Sequence, residues 1–119
     1  ILSGATPIST TSYLLSPLFD FNNAVNTTLK FRMNRRLGTS GAVRISFADG
    51  LFTTWQRLGE TNDPEGINWY NATSGVVGGV TGPVWNGQSG NYVEHTLELP
   101  TMFNYRLGRG VRFRIEFQS

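Results

Sequence analysis

The sequence predicts an all-β fold, a two-sheet antiparallel sandwich of jelly-roll-like architecture, and three observations lead there. Strict alternation of apolar and polar side chains recurs in four separate stretches. Turn-forming residues punctuate the chain between them. No stretch carries a helical stripe with start and stop signals.

Ser12 to Leu18 reads as the first strand. In the second, Leu29, Phe31 and Met33 share one face while Lys30, Arg32 and Asn34 take the other. The pattern returns in Val43-Arg44-Ile45-Ser46-Phe47, in Val93 to Leu99 and in Val111-Arg112-Phe113-Arg114-Ile115-Glu116-Phe117. Further strands are expected at Thr53 to Leu58 and, shorter, at Ile67 to Asn71. Turn chemistry separates them at Asn22-Asn23, Gly38 to Gly41, Asp49-Gly50, Asn62-Asp63-Pro64-Glu65-Gly66 and Leu107-Gly108-Arg109-Gly110. From Thr73 to Asn91 the glycines Gly75, Gly78, Gly79, Gly82, Gly87 and Gly90 break regularity, so this stretch reads as a long loop and the first place to seek a binding surface. Roughly seven short strands, each with one apolar face, suit two sheets packed face to face.

Residues 1–119 fit one domain, with 13% aromatic and only 15% charged residues, a globular composition. With no cysteine, disulfides, thiolate zinc sites and cysteine nucleophiles are excluded together. The net charge of +2 is carried largely by arginine and argues weakly for a polyanionic partner. No apolar run is long enough to span a bilayer, and Ile1-Leu2-Ser3-Gly4 does not resemble a signal peptide, so the chain is expected to be a piece of a larger exported protein.

Ser12 to Phe21 resembles the opening "S-Y-L-x-S-P-x-x-D" strand of the MAM-like and reelin-like jelly-roll modules of Bacteroidetes-type surface proteins. Thr28-Leu29-Lys30-Phe31 is similar to their next strand, and Ala42 to Leu58, with Val43, Ser46, Asp49-Gly50, Trp55 and Leu58, to a hairpin that follows. Val111 to Phe117 resembles a late "V-R-F-R-F-x-F" strand. The resemblance implies an extracellular or cell-surface jelly roll used for adhesion, glycan recognition or spacing, without catalytic residues. An acidic "D-D" strand that helps hold calcium in such modules has no counterpart before Ser119, so calcium is not carried over and no cofactor is expected. The family's missing terminal strands would leave sheet edges for a partner or neighbouring domain.

Catalytic chemistry is poorly supplied. His95, the single histidine, falls with Val93, Leu97 and Leu99 on an apolar face and reads as a packed residue. Glu94 and Glu98 project oppositely, and ion pairs with Arg112 and Arg114 beside Glu116 would account for them without an acid and base pair. Asp20, Asp49 and Asp63 read as turn acids, not metal ligands. Lys30, Arg32, Arg44, Arg112 and Arg114 all fall on outward positions and would form a basic face for sulfated or uronic-acid polysaccharide if their strands were neighbours, with nucleic acid the less favoured partner; a solvated surface balanced by Glu94, Glu98 and Glu116 is the preferred reading. The aromatic candidates are Trp69, Tyr70, Asn71 and Trp85, Asn86, Tyr92, where rings flanked by amides suit a sugar, with Asn68 and Gln88 as further polar partners if the rings are exposed. Trp69 and Trp85 read equally well as core anchors, and Trp55 as core. Glycosylation sequons occur at Asn26 and Asn71.

The function expected is therefore a non-catalytic adhesion or carbohydrate-binding module, its partner a glycan or cell-surface protein. The alternative is a structural or assembly domain, such as a spacer, docking element or phage-type decoration domain.

Overall fold

A computed structural model describes residues 10–21, 27–49, 54–99 and 110–119. The expected features at Ile1 to Gly4, Asn22-Asn23, Asn26, Gly50, Thr53 and Leu107 to Arg109 lie outside those residues, as does the Asp49 side chain. Nine strands and no helix are present among the described residues: β1 (Thr11–Leu15), β2 (Thr28–Met33), β3 (Ala42–Asp49), β4 (Gln56–Arg57), β5 (Gly66–Ile67), β6 (Ala72–Val77), β7 (Val80–Val84), β8 (Val93–Glu98) and β9 (Val111–Gln118).

They form a four-stranded sheet in the order β1-β9-β3-β4, a three-stranded sheet β2-β8-β5, and the hairpin β6-β7, all antiparallel. The first strand pairs with the last and the second with the next to last, the nested winding expected of a jelly-roll-like sandwich. Alternation explains the core between the two sheets: Val43, Ile45, Phe47, Val111 and Phe113 from one sheet meet Leu97 and Leu99 from the other, with Leu29, Phe31 and Met33 packed against them.

The expected long loop is instead in large part the hairpin β6-β7. Gly78 and Gly79 hold φ of 57° and 79°, the two left-handed residues that a two-residue hairpin turn demands. Gly75 is required for a different reason, because a Cβ there would collide with the Val84 side chain across the hairpin. The glycines that seemed to dissolve the strand pattern are thus what lets two valine-bearing strands close. The hairpin lies against β3 and β9 on the face turned away from the core, where Ala42, Val77 and Val84 make a second small apolar cluster. Its tip is tied down by Gln118, whose Oε1 accepts from Gly78 N at 3.0 Å and Thr11 Oγ1 at 2.7 Å.

Covering that face buries both sides of β3, so Arg44 is not the outward residue that alternation suggests. It is 3% exposed and donates from Nε to Pro83 O at 3.0 Å, from Nη1 to Val80 O at 3.0 Å and from Nη2 to Gly75 O at 3.2 Å. The condition for a continuous basic face, that its strands be neighbours, is not met. Lys30 and Arg32 belong to the β2-β8 sheet, and Arg44, Arg112 and Arg114 to the other. For the same reason Glu94 and Glu98 sit beside β2, not β9, and do not pair with Arg112 or Arg114. Glu116 instead pairs within its own strand with Arg114, at 2.6 Å.

Candidate functional site

The strand expected from Ile67 to Asn71 ends after Ile67, and the reason is backbone conformation. Asn68 and Tyr70 have φ of 56° and 20°, and Asn62 has 51°. Left-handed backbone is uncommon outside glycine, tolerated best by asparagine and costly for a bulky tyrosine. Three such residues in nine positions concentrate strain in one connection.

That connection is held by aromatic side chains pointing inward. Trp69, Tyr70 and Trp85 are 2%, 0% and 1% exposed, and their polar atoms are all satisfied by backbone. Trp69 Nε1 donates to Leu58 O at 3.0 Å, Trp85 Nε1 to Asn68 O at 2.9 Å, and the Tyr70 hydroxyl to Ile45 O at 3.0 Å. The rings pack together with centroids 4.9 Å apart for Trp69 and Trp85 and 4.6 Å for Tyr70 and Trp85, with Phe31 standing edge-on at 5.5 Å from Trp85. Expected as contacts for a ligand, Trp69, Tyr70 and Trp85 have no open ring face and act as anchors of the loop above them. Tyr92 alone among the aromatic candidates is open to solvent, at 65%.

The surface over these anchors is a cleft of about 380 Å³. Its polar lining comes from four segments that are separate in sequence: Arg35, then Asn62, then Asn68 and Asn71, then Gln88 and Ser89. The indole edges and His95 form its floor. The volume lies within the roughly 300–1,000 Å³ common for small-ligand sites. Asn71 is partly committed, since its Oδ1 accepts from Asn86 N at 2.9 Å and its Nδ2 donates to Asn86 O at 3.3 Å. Asn86 thus contributes backbone, and Arg35 Nε donates to the same carbonyl at 3.1 Å. Asn68 Nδ2 donates to Glu94 O at 3.0 Å. The side-chain amides of Asn62 and Gln88 have no partner among the described residues, so they are the groups available to a ligand.

The expected polar partners Asn68, Asn71 and Gln88 do converge here. Arg35, Asn62 and Ser89 were not foreseen. The cluster Asn62-Asp63-Pro64-Glu65-Gly66 reads as a turn, and nothing in its spacing says that the first amide faces a site.

His95 is buried beneath the cleft, stacked on Phe31 at 5.2 Å, with Nδ1 bonded to the Asn68 carbonyl. A carbonyl can only accept, so Nδ1 carries the proton. Nε2 is then the unprotonated nitrogen, buried without a partner among the described residues. Burial holds the imidazole below its ordinary 6.5, against the bond to Asn68, which favours the charged form; Arg35 adds a further push downward. The unfolded chain therefore binds the proton first as pH falls. Stability is fully present above pH 6.5 and declines as pH drops through and below it. The urea midpoint is expected to fall between about pH 7.5 and about pH 5.5, while the single imidazole signal in an NMR titration stays neutral past 6.5. A midpoint unchanged over that interval contradicts the neutral buried state.

Among the described residues no group of three or more His, Cys, Asp or Glu side chains is placed to hold a metal ion, and no helix is long and apolar enough to cross a membrane. No family model matches the chain, and neither a curated protein nor a solved structure matches it, so the MAM-like and reelin-like resemblance is neither supported nor opposed by relatives.

Proposed function

We propose that this domain is a non-catalytic glycan-binding module, displayed at a cell surface or in a secreted protein, and that the amide-lined cleft is its binding site. The observation that carries the reading is the convergence of Asn62, Asn68, Asn71, Gln88 and Arg35 over a rigid aromatic floor. Amides donate and accept at once, which matches sugar hydroxyls, and a strained backbone fixed by buried indoles presents them in one geometry at little entropic cost on binding. Tyr92 is exposed and adjoins Val93 of the cleft wall in sequence, but its ring is not part of the cleft lining.

The test is a glycan array followed by calorimetry on each hit. Gln88→Ala removes one available amide. Asn62→Gly removes the other without opposing the left-handed backbone. Each is expected to weaken binding about tenfold, the worth of roughly one or two hydrogen bonds. Hits that bind both folded variants with unchanged affinity would place the site elsewhere.

A second reading, a structural or assembly domain, draws on one observation. β1 is an edge of the four-stranded sheet and leaves Tyr13, Leu14 and Leu15 exposed. It calls for self-association that Leu14→Lys abolishes; a monomer at high concentration counts against it.

A further inference from the structure

A second, smaller cleft of about 130 Å³ lies on the other side of the four-stranded sheet, where β7 faces β3, β4 and β9. It shares no lining residue with the amide cleft. Three guanidiniums, of Arg44, Arg57 and Arg114, and one carboxylate, of Glu116, line it.

These charges are not evenly matched. Glu116 is claimed by Arg114, whose Nε and Nη2 both donate to Oε2 at 2.9 Å and 2.6 Å, and by Ser46 Oγ at 3.0 Å. The Arg114 guanidinium is also fixed between two rings, 4.5 Å from Tyr13 and 4.3 Å from Trp55. Arg57 meets Glu60 at 2.6 Å on the exposed rim, a pair that water screens. Arg44 is buried with three neutral carbonyls and forms no ion pair among the described residues.

Arg44 Nη2 and Arg57 Nη1 converge on Gly82, each 3.6 Å from where a Cβ would stand. Burial is the main cause that lowers the Arg44 pKa; Tyr70 and Glu116 oppose it, and Arg57, a like charge facing it across the glycine, adds a smaller push downward. Arg57 Nη1 has no hydrogen bond among the described residues. A buried cation held by carbonyl dipoles, whose nearest carboxylate, Glu116, is already taken by Arg114 and Ser46, with a second cation beside it and room between, is a place that favours an anion.

We infer that this cleft binds one anionic group of an acidic saccharide, a uronic-acid carboxylate or a sulfate ester, between Arg44 Nη2 and Arg57 Nη1 over Gly82. Both groups present the oxygens that a guanidinium fork recognises, and Trp55 supplies an apolar wall at the rim.

Two variants act by different routes. Arg57→Gln removes one arm from an exposed side chain. Gly82→Val keeps every charge but fills the space between the guanidiniums; its Cβ would make only ordinary contacts and its φ is not left-handed. Calorimetry and amide-shift mapping are run with a uronic-acid tetrasaccharide, a sulfated tetrasaccharide, a neutral tetrasaccharide and inorganic sulfate. The expected result is binding of at least one acidic tetrasaccharide, with shifts centred on Thr81 and Gly82. Each variant weakens it about tenfold, and Gln88→Ala leaves it unchanged. Three results would overturn the inference: equal binding of the neutral tetrasaccharide, acidic binding that survives both variants, or a response to inorganic sulfate alone. Should Gly82→Val fail to fold, Arg57→Gln decides.

Discussion

Replacing Arg44 with methionine lowers the unfolding free energy by about 3 kcal/mol or more, the larger share arising from acceptors left behind. The guanidinium reaches the carbonyls of Gly75, Val80 and Pro83, one on β6 and two on β7, from the middle of β3. Methionine fills much of the space but donates nothing, so these oxygens lose their charged donor in a place where water does not readily replace it. Arg44→Lys recovers only part of the loss, because one ammonium cannot span three acceptors placed around a fork. Urea titration gives the magnitude. Hydrogen exchange gives the location, since amides of residues 72–84 should lose protection before those of the β2-β8 ladder. Uniform loss of protection would mean that the arginine holds the whole sandwich and not the hairpin.

Trp85→Ala is expected to cost about 3–5 kcal/mol, much of the roughly 5–15 kcal/mol that stabilises a typical domain. The indole touches Trp69, Tyr70, Phe31 and His95, and its Nε1 fixes the Asn68 carbonyl. Trp85→Phe retains a ring and gives up the hydrogen bond, and is expected to lose about 1–3 kcal/mol. The pair separates two meanings of the same tryptophan. If Trp85→Phe folds and binds glycan as the parent does, then lost binding in Trp85→Ala reflects collapse of the floor. If the folded Trp85→Phe protein fails to bind, the indole takes part directly and the burial argument fails.

The strands at β2, β3, β8 and β9 could be read from sequence because alternation records a difference between two faces. Leu29 and Lys30, or Leu97 and Glu98, meet different surroundings, and the pattern keeps that difference. β3 shows where this stops. Arg44 and Ser46 look like solvent residues, yet both are buried, because a polar side chain that satisfies carbonyls or a carboxylate reads the same as one that meets water. The hairpin was hidden by its own glycines, which signal permissive backbone without saying whether close packing is the use made of it. The amide cleft was only half visible. Asn68, Asn71 and Gln88 could be named as polar candidates, but Arg35 and Asn62 reach the same wall from distant segments, and no local spacing encodes that meeting. The tryptophans were ambiguous because an indole serves as anchor or platform with the same atoms, and only its exposure separates the two.

The nested winding has a consequence for how the chain is made. β9 lies between β1 and β3, so the partners of β1 are translated only after every other described strand: Thr11 opposite Gln118, Leu15 opposite Arg114. On a ribosome, the four-stranded sheet cannot assemble until the end of this segment has cleared the exit tunnel, and the apolar strip of β3 must wait without its principal neighbour. Folding should therefore be late and slow, and a nascent chain stopped short of Val111 should remain protease-sensitive and chaperone-bound however much of the β2-β8 ladder it already contains.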